Sequence, residues 1–302
     1  MDFNQRYSYH YPTNIRFGSG VSDELASYLK GNNWTAPLIV SDPMMIDLPF
    51  FKQIIKNLKS NSLNPHIYTG ISKNPIESNV LNGVQSFHEN KCDSILGLGG
   101  GASMDVARAI ALKANHSNNL FDFDDAQGGD KLVTETIPPF ITIPTTCGTG
   151  SEVARSTVIA DNISHMKRVL FSPKLMAIKV FADPLLTMEL PAKITAATGM
   201  DALTHNVEAF VAKGFSPLCD GVALEAIRLI ASSLEISVKK PTLESRSKMM
   251  MAALMGATSF QKGLGIIHSL AHPLSTVFDT HHGLANAVML PYGIEFNQSV
   301  AD

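Results

Sequence analysis

Cysteine is scarce in this sequence, with three residues among 302. Cys92, Cys147 and Cys219 lie far apart, and no two of them form a C-x-x-C pair. An odd number of scattered cysteines argues against a disulfide framework and against a zinc finger. The pattern instead favours a reducing compartment, and we expect a cytoplasmic protein.

Charge and long apolar runs are also limited. Only 17% of the residues are charged and the formal net charge is −3, so neither nucleic acid nor an anionic membrane is expected as a partner. No apolar run reaches the ~18 residues that a membrane span requires, and no secretory signal is visible in the first thirty residues. With 45% hydrophobic residues, the chain can build a large core and is long enough for two domains.

Short apolar runs alternate with amphipathic stretches in the first part of the chain. Buried strands are predicted at Ala36–Asp42, Ser94–Leu98 and Pro139–Pro144, with helices between them. This alternation predicts a parallel α/β sheet. After Pro184 the periodicity is helical, over 191–213, 217–234, 243–262 and 264–272. We therefore predict an α/β domain over residues 1–187 and an all-α domain over residues 188–302.

Two glycine-rich loops follow predicted strands. Gly99-Gly100-Gly101 comes directly after one strand and opens a helix, and the loop TTCGTGSE over 145–152 follows another. Glycine lets the backbone approach a diphosphate closely, and the free N–H groups of a helix N-terminus favour its charge. The G-x-G-x-x-G fingerprint is absent, and one such loop is often structural. Two loops at the carboxyl ends of parallel strands nevertheless predict a bound nucleotide.

Histidine is concentrated in one stretch, Gly263–Gly283. It holds four of the ten histidines: His268, His272, His281 and His282. His268 and His272 are four residues apart, which places both rings on one face of a helix. Asp201 and His205 repeat this spacing upstream. Carboxylate and imidazole groups are the ligands of a divalent transition metal, so we predict a metal site. Spacing does not choose among the four clustered histidines.

Pro273 directly follows His272. Because proline lacks an N–H and its ring clashes with the i−4 carbonyl, we expect the helix to bend or end there.

Five motifs carry a family resemblance: GGGASMDVARAIAL, PTTCGTGSEV, FADPLL, ATGMDALTHNVEAF and GIIHSLAHPLSTVFDTHHGLANAVMLPY. Together they resemble the iron-containing (group III) alcohol dehydrogenases, from about Tyr11 to Asn297. The resemblance implies an N-terminal Rossmann-like parallel-sheet domain and a C-terminal helical metal-binding domain. It also implies NAD, with NADP as the less favoured cofactor, Fe²⁺ with Zn²⁺ as an alternative metal, an alcohol or aldehyde substrate, and a homodimer.

The resemblance also assigns roles to individual residues. It implies that the metal ligands are Asp201, His205, His268 and His282. His272 matches a histidine that lies beside the substrate, where it takes part in proton release, and His281 falls where no ligand is expected. The implied dinucleotide contacts are Asp42, Asn74, Gly100, Gly101, Ala102, Ser103, Asp105, Thr145, Thr146, Thr149 and Lys167.

The sequence departs from the family pattern in a few places. Ala102 stands where serine is usual, which removes one hydroxyl contact, and the family normally continues for several helices past residue 302. Two other functions are therefore considered. The first is a metal- and NAD-dependent lyase or cyclase of the dehydroquinate-synthase type, which requires several Lys or Arg around the metal. The second is a non-catalytic binder of metal and nucleotide.

The choice of NAD over NADP depends on Asp42, at the end of the strand APLIVSD. A carboxylate there can accept hydrogen bonds from both ribose hydroxyls, and it would repel a 2′-phosphate. The alternative is that Asp42 only caps the turn that begins at Pro43.

Overall fold

The computed structural model describes residues 13–164, 166–278 and 280–301. Its strands are β1 (Ile15–Phe17), β2 (Pro37–Val40), β3 (His66–Tyr68), β4 (Ser94–Gly99), β5 (Phe140–Pro144), β6 (Ser156–Ala160), β7 (Lys167–Phe171) and β8 (Lys179–Ala182). Its α-helices are α1 (Leu25–Gly31), α2 (Pro49–Ser60), α3 (Glu77–Glu89), α4 (Gly101–Lys113), α5 (Ala192–Val211), α6 (Pro217–Lys239), α7 (Leu243–Ser259), α8 (Ile266–Phe278) and α9 (His282–Asn297). The first twelve residues of the predicted N-terminal domain, including Tyr11, lie outside the described residues.

The described residues divide into two compact units. The sheet unit comprises 13–145 and 151–186, and the helical unit contains 146–150 and 187–301. The predicted fold class, a parallel-sheet region followed by a helical region, is confirmed. None of the helices is long and apolar enough to cross a membrane, as far as the described residues show.

A six-stranded parallel sheet forms the centre of the sheet unit, in the order β1-β8-β5-β4-β2-β3. The predicted strands β2, β4 and β5 are buried on both faces, which explains their near-continuous apolar sequences. Their side chains pack with α1 and α2 in a core that includes Leu29, Ile39, Phe51, Leu96 and Phe181. β6 and β7 form a separate antiparallel pair.

The shorter strands were not predicted. β1 and β3 have three residues each, and their burial is intermediate or exposed. Strands of this length carry too little periodic sequence to be distinguished from loops, and they form because a parallel neighbour offers its backbone groups.

In the described part of the helical unit the regular elements are helices, as its periodicity predicts. Small buried residues such as Ala202, Ala223 and Ala253 lie in α5, α6 and α7, and small side chains allow helix backbones to approach closely. Met249 and Met250 are fully buried between them.

Of the two alternatives expected at Pro273, a bend or an end of the helix, the end is wrong, because α8 continues through this proline to Phe278. A proline removes a single helical hydrogen bond, at roughly 3 kcal/mol. The helix buries Ala271 and Ser275 on either side of Pro273, and we infer that this packing outweighs the loss.

Candidate functional site

One face of α5 carries three buried polar residues. Asp201, His205 and Glu208 are separated by four and three residues, so they align along one side of the helix. Each is at most 6% exposed. A buried charged row of this kind requires partners from neighbouring elements.

The partners come from α8 and α9. His268 is buried, and its ring stacks on that of His205, with 4.7 Å between ring centroids. His282 is the first residue of α9 and is half-buried. The ring of His272 lies 5.9 Å from His268 and 5.3 Å from His282, measured between centroids, and is exposed. His281 precedes α9 and is also exposed.

The structure brings the four predicted metal ligands together. The carboxylate of Asp201 and one ring nitrogen each of His205 and His268 all lie within 4.8 Å of one another. Asp201 Oδ1 is 4.0 Å from Nε2 of His205 and 3.6 Å from Nε2 of His282. Two atoms that share a cation at ~2.1 Å in tetrahedral geometry are separated by ~3.4 Å. The cluster is therefore close to the spacing that a single bound cation requires.

Burial sets the protonation of this cluster. Burial lowers the pKa of His205 to about 4. The negative charge of Asp201 acts in the opposite direction and raises this pKa, whereas the nearby rings of His268 and His282 lower it further. Burial would raise the pKa of Asp201, but His205, His282, His268 and a hydrogen bond from Asn286 hold it below its usual value. A neutral imidazole beside an ionised carboxylate is the form that binds a metal.

Asn286 is a residue of this cluster that the sequence reasoning missed. Its side-chain nitrogen lies 2.7 Å from Asp201 Oδ1, 3.1 Å from His268 Nε2 and 3.3 Å from His282 Nε2. An amide nitrogen has two hydrogens, so it cannot satisfy three acceptors at once, while its own Oδ1 has no hydrogen-bond partner in the described part of the chain. A cation would satisfy these same acceptors. The i, i+4 spacing of His282 and Asn286 is the signal that could have identified Asn286.

Glu208 was missed as well. Its Oε2 accepts a hydrogen bond from Nδ1 of His268 at 2.5 Å, and its Oε1 accepts one from the backbone N–H of Ile267 at 2.6 Å. Burial would raise the pKa of Glu208, but the hydrogen bond and charge of His268 and the backbone N–H groups of Gly265 and Ile267 hold it below its usual value. Its position three residues after His205 gave a signal in the sequence.

The donor set suits a divalent transition metal. One carboxylate and three imidazoles are ligands that Fe²⁺ and Zn²⁺ accept, and ligand type alone does not choose between the two metals. The unmet hydrogen-bonding needs around Asn286 agree with such a site. Asp201, His205, His268 and His282 would hold the ion.

The predicted dinucleotide residues of the sheet unit lie largely at one edge of the sheet. β2, β4 and β5 are parallel neighbours, so their carboxyl ends meet at the same edge. The residues that follow them directly are Ser41 and Asp42, then Gly100 to Ser103, then Thr145. Gly100 precedes α4, and Gly101, Ala102 and Ser103 form its first turn. This is the place where open parallel sheets bind ligands.

Asp42 caps the short 3₁₀ helix Pro43–Met45, because its Oδ1 accepts a hydrogen bond from the backbone N–H of Met44 at 2.8 Å. The capping interpretation is thus correct for one oxygen. The second oxygen lies outside that bond, so ribose recognition by Asp42 stays a prediction.

The Asp105 carboxylate is engaged inside the sheet unit. Its Oδ1 accepts from Ser151 at 2.6 Å and from Arg108 at 3.2 Å, and its Oδ2 from the backbone N–H of Val158 at 3.3 Å. These hydrogen bonds connect α4 to Ser151 and to β6. The spacing of residues in the sequence could not predict them. A direct contact of Asp105 with a dinucleotide stays a prediction.

The remaining predicted cofactor residues lie on loops and on the hairpin. Asn74 is half-buried between β3 and α3, and Lys167 opens β7, where it pairs with Ala160. Ala160 also bridges Ile76, so the start of β7 lies near the segment that holds Asn74. Thr146 and Thr149 are half-buried and belong to the helical unit.

Comparison with known proteins gives matches over nearly the whole chain. The family model described as iron-containing alcohol dehydrogenase matches residues 12–184, and the model for the C-terminal region of the Fe-containing alcohol dehydrogenase family matches residues 195–302. The chain is 35% identical over 294 residues to a 4-hydroxybutyrate dehydrogenase of Cupriavidus necator, covering 95% of this chain and 76% of that protein. It is 34% identical to an NAD-dependent methanol dehydrogenase of Bacillus methanolicus, covering 93% of this chain and 73% of the relative.

A solved structure of 1,3-propanediol oxidoreductase superimposes with a TM-score of 0.92 at 33% identity. The superposition covers 97% of this chain and 76% of that one. A 1,3-propanediol dehydrogenase of Citrobacter freundii matches over a shorter stretch, 245 residues at 36% identity, which covers 80% of this chain and 62% of that protein.

Proposed function

This chain belongs to the iron-containing alcohol dehydrogenase family, and on that premise we propose that it interconverts a short-chain or primary alcohol and its aldehyde or ketone, with NAD as cofactor. The observation that carries this proposal is the convergence of Asp201, His205, His268 and His282 in one buried cluster. Relatives with dehydrogenase names match over more than nine-tenths of the chain.

The two units receive different tasks in this proposal. The sheet unit would bind the dinucleotide through the residues at the carboxyl ends of β2, β4 and β5, and the helical unit would hold the metal. We place the boundary between the two domains at residues 187 and 188, as predicted from the sequence.

The chain's own residues prepare the site for an alcohol. When bound, the metal supplies Lewis acidity that favours the ionised alcohol, and the nicotinamide supplies the hydride acceptor. Burial of Asp201, His205 and His268 keeps water from the ligand atoms. His272 is exposed beside the buried rings, so its imidazole can pass a proton between the site and solvent.

A spectrophotometric assay at 340 nm tests this function. Protein stripped of metal, and protein reloaded with Fe²⁺ or Zn²⁺, would be given NAD⁺ with a panel of primary alcohols, or NADH with the matching aldehydes. We expect turnover in the reloaded samples and loss of at least tenfold in the stripped one. Metal-loaded protein that turns over none of these substrates in either direction would contradict the proposal.

A lyase of the dehydroquinate-synthase type is not supported by the helical unit. Such an enzyme would need cations that face an anionic sugar. Lys262 donates to Asp220 and to the carbonyl of Phe210, and Arg246 donates to Thr195 and to the carbonyl of Leu190. Both side chains are nearly buried and are used within the protein. A non-catalytic binder would bind metal and NADH without turnover, and the assay distinguishes that case.

We further propose that the chain works as a homodimer in the cytoplasm. The family resemblance supports the dimer. The three cysteines are buried, and no disulfide joins them in the described part of the chain, which agrees with a reducing compartment.

A further inference from the structure

Glu208 is fully buried and has no Lys or Arg partner among the ion pairs of the described residues. Its only ion-pair partner there is His268, at 2.5 Å from Nδ1. A buried carboxylate without a cation is unfavourable unless hydrogen-bond donors surround it. The donors are all supplied by the start of α8.

The carboxylate of Glu208 contacts both the backbone of α8 and the ring of His268. Glu208 accepts hydrogen bonds from the N–H of Ile267 at 2.6 Å and from the N–H of His268 at 3.4 Å, which are free donors in the first turn of α8. It therefore caps this helix, where a negative charge is favoured by the helix dipole. Gly265 allows the approach, because a Cβ at this position would lie 2.9 Å from Glu208 Oε1.

The same carboxylate determines which nitrogen of His268 carries the proton. Because Oε2 accepts from Nδ1, Nδ1 is protonated and Nε2 carries the lone pair in the neutral ring. The contact on the other side of the ring agrees, since Nε2 lies 3.1 Å from the side-chain nitrogen of Asn286, which is a donor. Both contacts are thus compatible with the same tautomer, which the carboxylate of Glu208 determines.

We propose that Glu208 is a positioning residue of the metal centre, which fixes His268 as the Nδ1-protonated tautomer and turns Nε2 toward Asp201 and His205. This proposal rests on the metal site of the proposed function. Carboxylates that hold the second nitrogen of a ligand histidine orient the ring and make it a stronger ligand, and their loss lowers metal affinity about 10- to 100-fold. The stacked ring of His205 depends on the same placement of His268.

Substitution of Glu208 by Gln tests this role. Gln has nearly the same shape and one carbonyl oxygen, so it can accept from Ile267 or from His268 but lacks the charge and the second acceptor. Co²⁺ binding would be measured by competition with a chelating dye and by the d–d absorption of the bound ion. We expect the Kd for Co²⁺ to rise about 10- to 100-fold in Glu208→Gln, with circular dichroism unchanged. Glu208→Asp, which keeps the charge but shortens the reach, should give a smaller rise.

Glu225→Gln is the matched control. Glu225 lies on α6 in the same unit and is paired with Arg228 at the surface, so its substitution should leave the Kd unchanged. A Kd for Glu208→Gln within twofold of wild type, or an equal loss in Glu225→Gln, would overturn the role of Glu208. Failure of the wild-type protein to bind Co²⁺ would instead refute the metal centre of the proposed function, and this inference with it.

A measurement on the wild-type protein covers the case in which the variants do not fold. In protein with ¹⁵N-labelled histidine and bound Zn²⁺, the NMR spectrum should show His268 protonated at Nδ1. A ring protonated at Nε2 instead would overturn the proposal.

Discussion

His272 and His282 have the same chemistry and lie 5.3 Å apart between ring centroids, but His282 is half-buried and His272 is exposed. Nε2 of His282 is 3.6 Å from Asp201 Oδ1, whereas His272 lies at the exposed side of the cluster. We predict that this difference makes His282 a metal ligand and His272 a group that transfers protons.

Substituting each of these two histidines with alanine should therefore have different results. We expect His282→Ala to lose bound metal, because one of four ligands is removed. His272→Ala should retain metal and lose roughly 10²-fold in kcat, the usual contribution of a proton-transfer group. Elemental analysis of both purified variants, beside the 340 nm assay, makes the comparison. Equal metal loss would mean that the ligand assignment is wrong.

We also predict that a single residue, Asp42, decides the choice between NAD and NADP. The carboxylate of Asp42 would repel the 2′-phosphate of NADP. At a separation of ~4 Å, each pair of like charges costs about 1 kcal/mol in water and about 4 kcal/mol at an effective dielectric constant of 20. We expect the wild type to prefer NADH and Asp42→Gly to shift toward NADPH by at least several-fold in kcat/KM. Asp47→Gly, at an exposed aspartate nearby that pairs with Lys52, should not shift the preference. A wild-type preference for NADPH would refute the assignment.

At the scale of elements, we infer that the proposed metal site depends on how closely α9 approaches α5. A Cβ added to Gly283 would lie 2.1 Å from the carbonyl oxygen of Ala197 and 3.2 Å from Cβ of Asp201. The absence of a side chain at Gly283 therefore lets α9 lie against α5. Gly283 directly follows His282 and lies three residues before Asn286.

The variant Gly283→Ala should force the two helices apart. We expect the free energy of unfolding to fall by about 1–3 kcal/mol, as in other overpacked sites, and the Kd for metal to rise because His282 moves. Gly221→Ala on α6 is the control, since nothing lies within 4 Å of the added Cβ. It should be neutral or stabilising by up to about 1 kcal/mol. Chemical denaturation and Co²⁺ titration of the pair check this, and equal effects from both variants would argue against helix contact as the cause.

The loop after β5 carries a buried carboxylate of a different kind. Glu152 is 1% exposed, and neither of its carboxylate oxygens has a hydrogen-bond partner in the described part of the chain. Burial raises its pKa to about 7, against the hydrogen bond of its own backbone N–H and the charge of Arg108.

This raised pKa predicts how stability depends on pH. Below the ordinary pKa of 4.5, Glu152 is protonated in both the folded and the unfolded state. As the pH rises to about 7, it ionises first in the unfolded state, so the folded state loses up to about 3 kcal/mol. Glu152→Gln removes this titration. Urea denaturation should therefore show a gain in stability from the substitution that is larger at pH 8 than at pH 5. A difference that stays constant with pH would contradict the prediction.

At the scale of the whole molecule, each unit gathers residues that are distant in sequence. The sheet unit places residues 42, 100 and 145 at the carboxyl ends of three neighbouring strands. The helical unit places Asp201 beside His282, 81 positions later in the chain.

Self-association belongs to this scale as well. If the proposed homodimer forms, sedimentation equilibrium of the chain at micromolar concentration should give twice its mass. Metal-loaded and metal-free samples should agree, because the four proposed ligands all come from one chain. A monomer in both samples at these concentrations would refute the dimer.

The sequence by itself determined the features that depend on local spacing. The i, i+4 pairs of Asp201 with His205 and of His268 with His272 follow from helical periodicity, and the strands β2, β4 and β5 follow from their continuous apolar runs. The family motifs predicted the four ligands, since spacing left the choice among the clustered histidines open. Each of these signals lies within a few residues of chain.

Tertiary structure alone decided which groups from different elements meet. Strand order, the three-residue strands β1 and β3, and the passage of α8 through Pro273 depend on neighbours that local sequence does not show. Tertiary structure also decided that Glu208 accepts a hydrogen bond from the ring of His268, 60 residues away in the sequence. It likewise placed the side-chain nitrogen of Asn286 beside side-chain atoms of Asp201, His268 and His282. A hydrogen bond between distant residues has no local periodicity, because its geometry is set only when the helices that carry the two residues pack together.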